Sequence, residues 1–344
     1  MARSLGIHLR PDGFSYVLLD GSARKWSLLG RGEGGLDPDE ADPAAALAAS
    51  LEQGLKGAGL RRNDQVVLTL PSNDAVLREL SLPFSDRDKI HQVLKFEVES
   101  DLYHLDIDEV VCDYLELADD RATATLLVAA QPKSRIGVAL EVAQEAGLDP
   151  PVLDLDLGAL AVAVGTIPPD PEQPEALQAS LYVDSFASLL LVHAPEGLRA
   201  ARKIPLGWRE LGRGLVEEAA AAAGEPETAA LEVQTADEEA AAGGPAAPVE
   251  AEEPAEEAPR PLFGADAGLP LRLGLDEVLD RCPDEARASF LRRLSAEVRR
   301  GLAALGGPTV SRIHLLGADV PGLAEALQQR LGFPTARFEP AGEG

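Results

Sequence analysis

An α/β fold in two globular units is predicted, and three observations carry it. Residues 1–70 run strand, strand, strand, helix, strand, which is the first half of an α/β layer. A second strand-turn-strand-strand unit begins at Leu181 and is again followed by helical sequence. The composition agrees: of 344 residues 45% are hydrophobic but only 4% aromatic, so the cores must be built from Leu, Val and Ala, and that length suffices for two of them.

In chain order, Ser4 to Leu9, Phe14 to Leu19 and Lys25 to Gly30 form a hairpin meander, with Arg10-Pro11-Asp12-Gly13 as the first turn. A Gly/Asp/Pro loop over Gly32 to Pro43 leads to an amphipathic helix over Ala44 to Gly57 and a strand over Gln65 to Leu70 that stops at Pro71. Ala75 to Leu82 alternates as a strand, and Ser85 or Asp86 caps a helix reaching about Leu102. Strands over Val110 to Leu117 and Ala122 to Ala130 precede a helix over Lys133 to Ala146 closed by Gly147. Residues 73–150 therefore read as an inserted αβ subdomain, and Val152 to Leu157 returns the chain to a main sheet.

The central unit is LYVDSFASLLLVHAPEGLRAARKIPLG, Leu181 to Gly207: two short strands about a small-residue turn at Asp184, a third strand to Ile204, and a helix from Trp208 to about Ala223. Residues 217–272 are Ala, Glu, Gly and Pro with almost no large apolar side chain. Such a stretch buries too little apolar surface to offset chain entropy and reads as an acidic disordered insertion, a plain linker or a tether for a basic partner. Order resumes at Leu273, with a long helix over Asp284 to Leu305, a strand over Arg312 to Leu316, the turn Gly317-Ala318-Asp319, a helix over Gly322 to Leu331 and an edge strand over Phe333 to Phe338.

Charge excludes one class of function. Lys plus Arg total 31 against 58 Asp plus Glu, a net charge of −27 that repels nucleic-acid phosphates. The two cysteines, Cys112 and Cys282, stand far apart without CxxC spacing, so neither a disulfide framework nor a metal knuckle is indicated and a reducing compartment is expected. No apolar run approaches the roughly 18 to 20 residues of a membrane helix. Glu97 and Glu99 lie two apart on a helix and do not face each other, and Arg292, Arg293, Arg299 and Arg300 form a solvated cationic stripe.

Several motifs in order resemble the PilM/GspL family. LPSNDAVLRELSLPF (Leu70 to Phe84) precedes KFEVESDLYHLDIDEVVCDYLEL (Lys95 to Leu117), VDSFAS (Val183 to Ser188) matches the second phosphate hairpin, and RKIPLG (Arg202 to Gly207) the strand end after it. EVRRGL (Glu297 to Leu302) and HLLGADVPGL (His314 to Leu323) match the nucleotide-side helix and the adenosine turn.

The resemblance implies an actin-like (ribonuclease H-like) two-lobed fold with a small inserted αβ subdomain. Residues 1–72 would open lobe I, 73–150 form the insertion, 151–180 return to lobe I, 181–216 begin lobe II, and 273–344 complete it after the acidic stretch.

It also implies where a nucleotide would sit. The first turn carries Gly6, His8 and Gly13, with His8 where an aspartate is expected and Arg10-Pro11 where small residues let backbone approach phosphate; proline has no amide to donate. The second keeps Asp184, Ser185 and Ser188, with Phe186 in place of a glycine-bearing turn. Gly317 and Ala318 stand for two glycines, and Glu297 and Arg300 match the adenine and ribose contacts. On the residues alone His8 reads as a packed strand histidine, and Asp184 equally as a turn cap.

The degenerate turns imply no ATP hydrolysis and no catalytic residue, while ATP binding with Mg²⁺ on Asp184 stays open. The implied role is a cytoplasmic scaffold at the inner face of a bacterial inner membrane, in a type II secretion or type IV pilus assembly platform. It would dock the assembly ATPase and link it to inner-membrane subunits. Within the family that link is either a transmembrane helix in the same chain or a short peptide of a separate subunit, bound near the inserted subdomain; a homodimer is compatible with this. An end at Gly344 soon after the edge strand gives the expectation of a piece of a longer membrane protein. The rival reading is an actin-like ATPase gating assembly.

Overall fold

Two five-stranded sheets of identical order and strand direction organise the chain. The computed structural model describes residues 2–22, 25–37, 40–100, 102, 106–119, 123–213, 215, 274–305 and 309–338. The first sheet contains β1 (Ala2–Arg10), β2 (Gly13–Ser22), β3 (Lys25–Gly35), β4 (Gln65–Leu70) and β8 (Val152–Leu155) in the order β3-β2-β1-β4-β8. β1 pairs antiparallel with β2 and parallel with β4, and β8 continues the parallel half.

The second sheet repeats this with β9 (Leu177–Val183), β10 (Ser188–Ala194), β11 (Gly197–Ile204), β12 (Val310–Gly317) and β13 (Thr335–Arg337), ordered β11-β10-β9-β12-β13. Between the halves of lobe I lies a third sheet, β5 (Val76–Leu82), β7 (Ala124–Pro132) and β6 (Val110–Asp119), in the order β5-β7-β6.

Helices cover the sheets where their apolar stripes dictate. In lobe I, α1 (Pro43–Leu55) has Asp42 accepting from the Ala45 amide as N-cap, and its Leu47 and Leu51 pack with Leu5, Ile7 and Leu9 of β1. Asp86 is the cap of α2 (Arg87–Glu99), which buries Ile90, Leu94 and Val98 on the third sheet. The helix α3 (Lys133–Glu145), grouped by sequence with the inserted unit, contributes Ala139, Val142 and Ala143 to the core of the first sheet instead. Its small residues let it lie against α1. In lobe II, α5 (Leu275–Arg281), α6 (Asp284–Ala304) and α7 (Leu323–Leu331) bury Val278, Phe290, Leu294, Val298 and Leu327 with Leu181 and Leu190.

The structure departs from the sequence reading at several elements; β3, for one, runs on to Gly35 through residues read as loop. The expected strand over Val152 to Leu157 ends at Leu155, and a helix, α4 (Asp156–Val164), starts there, because Asp156 suits a first turn and LGALAVAV has helical content. Trp208–Gly212 is a short 3₁₀ turn, and the rest of the helix expected to Ala223 lies almost wholly outside the described residues, as does the acidic insertion over 217–272. The short α5 was not anticipated. The edge strand is shorter than expected, covering Thr335–Arg337. No helix among the described residues is long and apolar enough to cross a membrane.

The lobes meet through a third apolar cluster. Leu117 and Leu127 of the insertion, Leu157 and Val164 of α4, and Leu189, Leu191 and Leu198 of lobe II pack together. At roughly 25 cal/mol per Å² of apolar surface removed from water, this seam opposes separation of the lobes. Lys203 Nζ reinforces it by donating to the carbonyls of Asn73 (2.7 Å) and Ala75 (2.8 Å) across the junction.

Candidate functional site

Strand periodicity places the polar residues of β1 on one face. Leu5, Ile7 and Leu9 point into the core, which leaves Gly6, His8 and Arg10 for the opposite face, toward lobe II. The same alternation in β9 buries Ala179, Leu181 and Val183 in the lobe II core, with Asp184 starting the turn beyond. The turns of the two sheets thus face each other across a cleft of about 730 Å³, lined among others by Arg10, Asp12, Asp184, Ser185, Arg209, Gly317 and Ala318.

At the mouth of this cleft one carboxylate holds two guanidiniums. Arg10 Nε donates to Asp12 Oδ1 (3.1 Å), and Arg209, from lobe II, donates to Asp12 Oδ2 through Nε (3.1 Å) and a terminal nitrogen (3.0 Å). All three side chains are largely buried. Burial alone would raise the Asp12 carboxyl; Arg10 and Arg209 outweigh it and hold the group below its usual range. Arg209 also stacks over the rings of Phe186 and Trp208. Arg209 and Asp12 were not singled out as site residues from sequence, since nothing local signals that Arg209 returns to the first turn.

Beside the cleft, His8, Asp156 and Asp184 come together. One ligating atom from each lies within 4.8 Å of the others. Asp156 Oδ1 accepts from the Ser72 amide (2.9 Å) and hydroxyl, so the 3₁₀ turn after β4 orients it. Burial pushes the Asp156 carboxyl up to about 7, against the Ser72 hydrogen bonds and helped by the charge of Asp184. Asp184 is raised by burial too, which Arg10 opposes. His8 is pushed down to about 4 by burial and by Arg10, so it is the neutral imidazole at pH 7, and its buried Nε2 has no hydrogen-bond partner. Asp156 was missed because its segment reads as strand.

The other expected positions fall as follows. Gly6 lies inside β1, opposite Val17, where a Cβ would meet only ordinary van der Waals contact. Gly13 is needed by the fold: at φ 147° it opens β2, and a Cβ there would overlap the Gly34 carbonyl. Ser185 is buried, and Ser188 Oγ donates to the Leu206 carbonyl (2.6 Å). Gly317 and Ala318 sit where the sequence places them, but the Ala318 amide donates to Val183 O (2.8 Å). Glu297 and Arg300 pair with each other on the surface of α6. They are absent from the lining of the cleft, whose far wall is Gly274 to Glu277 at the start of α5.

Mg²⁺·ATP, which this kind of cleft implies, does not fit the residues present. Pro11 offers no amide, the Asp184 amide is spent on Ala187 O (3.0 Å), and the α5 capping residue Gly274 donates its amide to Glu277 (3.2 Å). The lining carries the carboxylates Asp12, Glu33, Asp184, Asp276 and Glu277 against the guanidiniums Arg10 and Arg209, a field that repels a triphosphate. The Arg209–Asp12 ion pair spans the cleft from lobe II to the first turn of lobe I.

A second concavity, about 370 Å³, runs between β6, β7 and β8. It is lined by Val111, Tyr114, Leu127, Val152, Leu155 and Gly158, among others. Val111 and Val152 on its rim are 44% and 47% exposed, apolar surface left open at the junction of insertion and lobe I.

The duplicated sheets, their strand directions and the insertion between β4 and α3 decide the architecture. The chain has the actin-like fold. A solved chain of the PilM–PilN type IV pilus biogenesis complex shares this actin-like arrangement, with a TM-score of 0.68 at 20% identity over 98% of this chain and 88% of that one. The cytoplasmic domain of EpsL, an inner-membrane component of the Vibrio cholerae type II secretion system, gives 0.41 at 17% identity over 61% and 74%. A Bacteroides thetaiotaomicron protein described as having an actin-like ATPase fold gives 0.37 at 12% identity over 65% and 77%. No protein-family profile and no curated protein matches the sequence.

Proposed function

We propose that this chain is a non-catalytic scaffold of a type IV pilus or type II secretion assembly platform, working at the cytoplasmic face of the inner membrane. It couples the assembly ATPase to membrane subunits. The observation that carries the reading is the substitution of an ion pair, Arg10–Asp12–Arg209, for a phosphate site within a fold that matches PilM over almost its whole length. Electrostatic catalysis of phosphoryl transfer requires donors aimed at developing charge; here the guanidiniums of Arg10 and Arg209 aim theirs at Asp12.

Function then lies in protein contacts. The groove beside Val111 and Val152 is the dock for a short apolar segment of a PilN-like membrane subunit, since it is concave, apolar and open at the insertion. The exposed face of α2, with Phe96 at 76% exposure between Lys95 and Glu97, is the surface for the assembly ATPase.

The test is fluorescence anisotropy of the full chain with the labelled cytoplasmic peptide of the cognate membrane subunit. Saturable one-to-one binding, weakened at least tenfold by Val111→Asp with Val152→Asp, is expected. Absence of binding together with Mg²⁺-dependent ATP turnover that Asp184→Asn abolishes would replace the scaffold with an actin-like ATPase.

A further inference from the structure

We propose that His8, Asp156 and Asp184 form a nucleotide-independent site for a divalent transition-metal ion of the Zn²⁺ type, and that this ion ties lobe I to lobe II. His8 comes from β1 and Asp156 from the start of α4, both in lobe I, while Asp184 comes from the turn after β9 in lobe II. Their ligating atoms converge within 4.8 Å. Two ligands on one tetrahedral zinc are about 3.4 Å apart, given metal–ligand distances near 2.1 Å, so the arrangement needs an approach of roughly an ångström or less per ligand.

The independent pointer to a ligand is His8 itself. Its Nε2 is buried without a hydrogen-bond partner, an arrangement that is costly unless something occupies it. A buried nitrogen lone pair opposite two carboxylates is a metal-binding donor set.

The neighbourhood is organised for this. Asp156 uses Oδ1 for both Ser72 bonds, which orients the carboxylate as an outer-shell partner does for a metal ligand. The neighbouring cations give their hydrogen bonds to other groups, Arg10 to Asp12 and Lys203 Nζ to two backbone carbonyls. One imidazole and two carboxylates suit Zn²⁺, Co²⁺, Mn²⁺ or Fe²⁺. They do not suit Ca²⁺, which takes six to eight oxygens, or Mg²⁺, which prefers oxygen ligands and retained water. The three protein ligands leave at least one coordination position for water.

The experiment uses the full chain, free of any histidine tag, stripped with chelator and titrated with ZnCl₂ against a competing chromophoric indicator, without nucleotide. One tight equivalent is expected, with a rise in the thermal midpoint that grows with free Zn²⁺. His8→Asn and Asp184→Asn should each weaken that equivalent at least tenfold, with far-ultraviolet circular dichroism confirming that the variants fold. Because a variant can fail to fold, Co²⁺ loading of the unaltered chain provides a second readout. Intense visible absorption of a four-coordinate ion supports the site, and the weak absorption of a hydrated octahedral ion overturns it. Affinity unchanged in both folded variants, or binding seen only with ATP present, would also overturn it.

Discussion

Asp12 is the residue on which the cleft closes. It accepts from Arg10 within its own lobe and from Arg209 and Ser185 of the other, so Arg209→Ala leaves a largely buried carboxylate without the two-donor fork that spans the lobes. The expected loss is about 1–3 kcal/mol, read by urea unfolding, and Arg209→Lys should recover little of it because an ammonium cannot reproduce the fork of two donors. His193 and His314 supply a second prediction at this scale. Burial lowers both to about 4, with His314 acting on His193 and Arg312 on His314. Between pH 6.5 and about 4 the unfolded chain binds their protons and the native chain does not, so their contribution to stability is lost as pH falls through that window. A His193→Gln, His314→Gln variant should show a shallower decline in its thermal midpoint over the same range.

Among the elements, the seam formed by α4, β10 and the insertion matters most. Leu191 is fully buried there, and Leu191→Ala is expected to cost about 2–5 kcal/mol through lost burial and a cavity. The measurement is chemical denaturation followed by both tryptophan fluorescence and far-ultraviolet dichroism. Coincident transitions would show that the lobes unfold together, and a split would mean that the seam is weaker than the lobe cores. The rim of the groove behaves oppositely: Val111→Asp and Val152→Asp lie at exposed positions and should change stability by no more than about 0.5 kcal/mol while weakening peptide binding at least tenfold together. That contrast separates a docking defect from a folding defect.

For the molecule as a whole, the junction of the lobes is already made by protein groups. The Arg209–Asp12 pair, Lys203 on Asn73 and Ala75, and the apolar seam all bridge the two halves. Small-angle scattering is therefore expected to be unchanged by millimolar Mg²⁺·ATP, and a contraction that Asp184→Asn removes would restore a nucleotide cycle. With a net charge of −27, association with a basic partner should slow as salt rises, since screening shortens the reach of that field to about 10 Å at 0.1 M.

What the sequence by itself determined is local and periodic. Alternation marked the strands, and Asp86 and Gly147 marked helix ends; the physics behind each acts over a few residues. The start of α4 at Asp156 escaped because a run of alternating Leu and Asp satisfies strand and helix alike. The tertiary structure alone decided that Asp156 meets His8 and Asp184, that Arg209 reaches Asp12, and that α5 rather than Glu297 and Arg300 walls the cleft. Those meetings follow from the order of strands in two sheets and from how the lobes pack. Such long-range closure is set by burial summed over the whole chain and leaves no periodic trace near the residues it brings together.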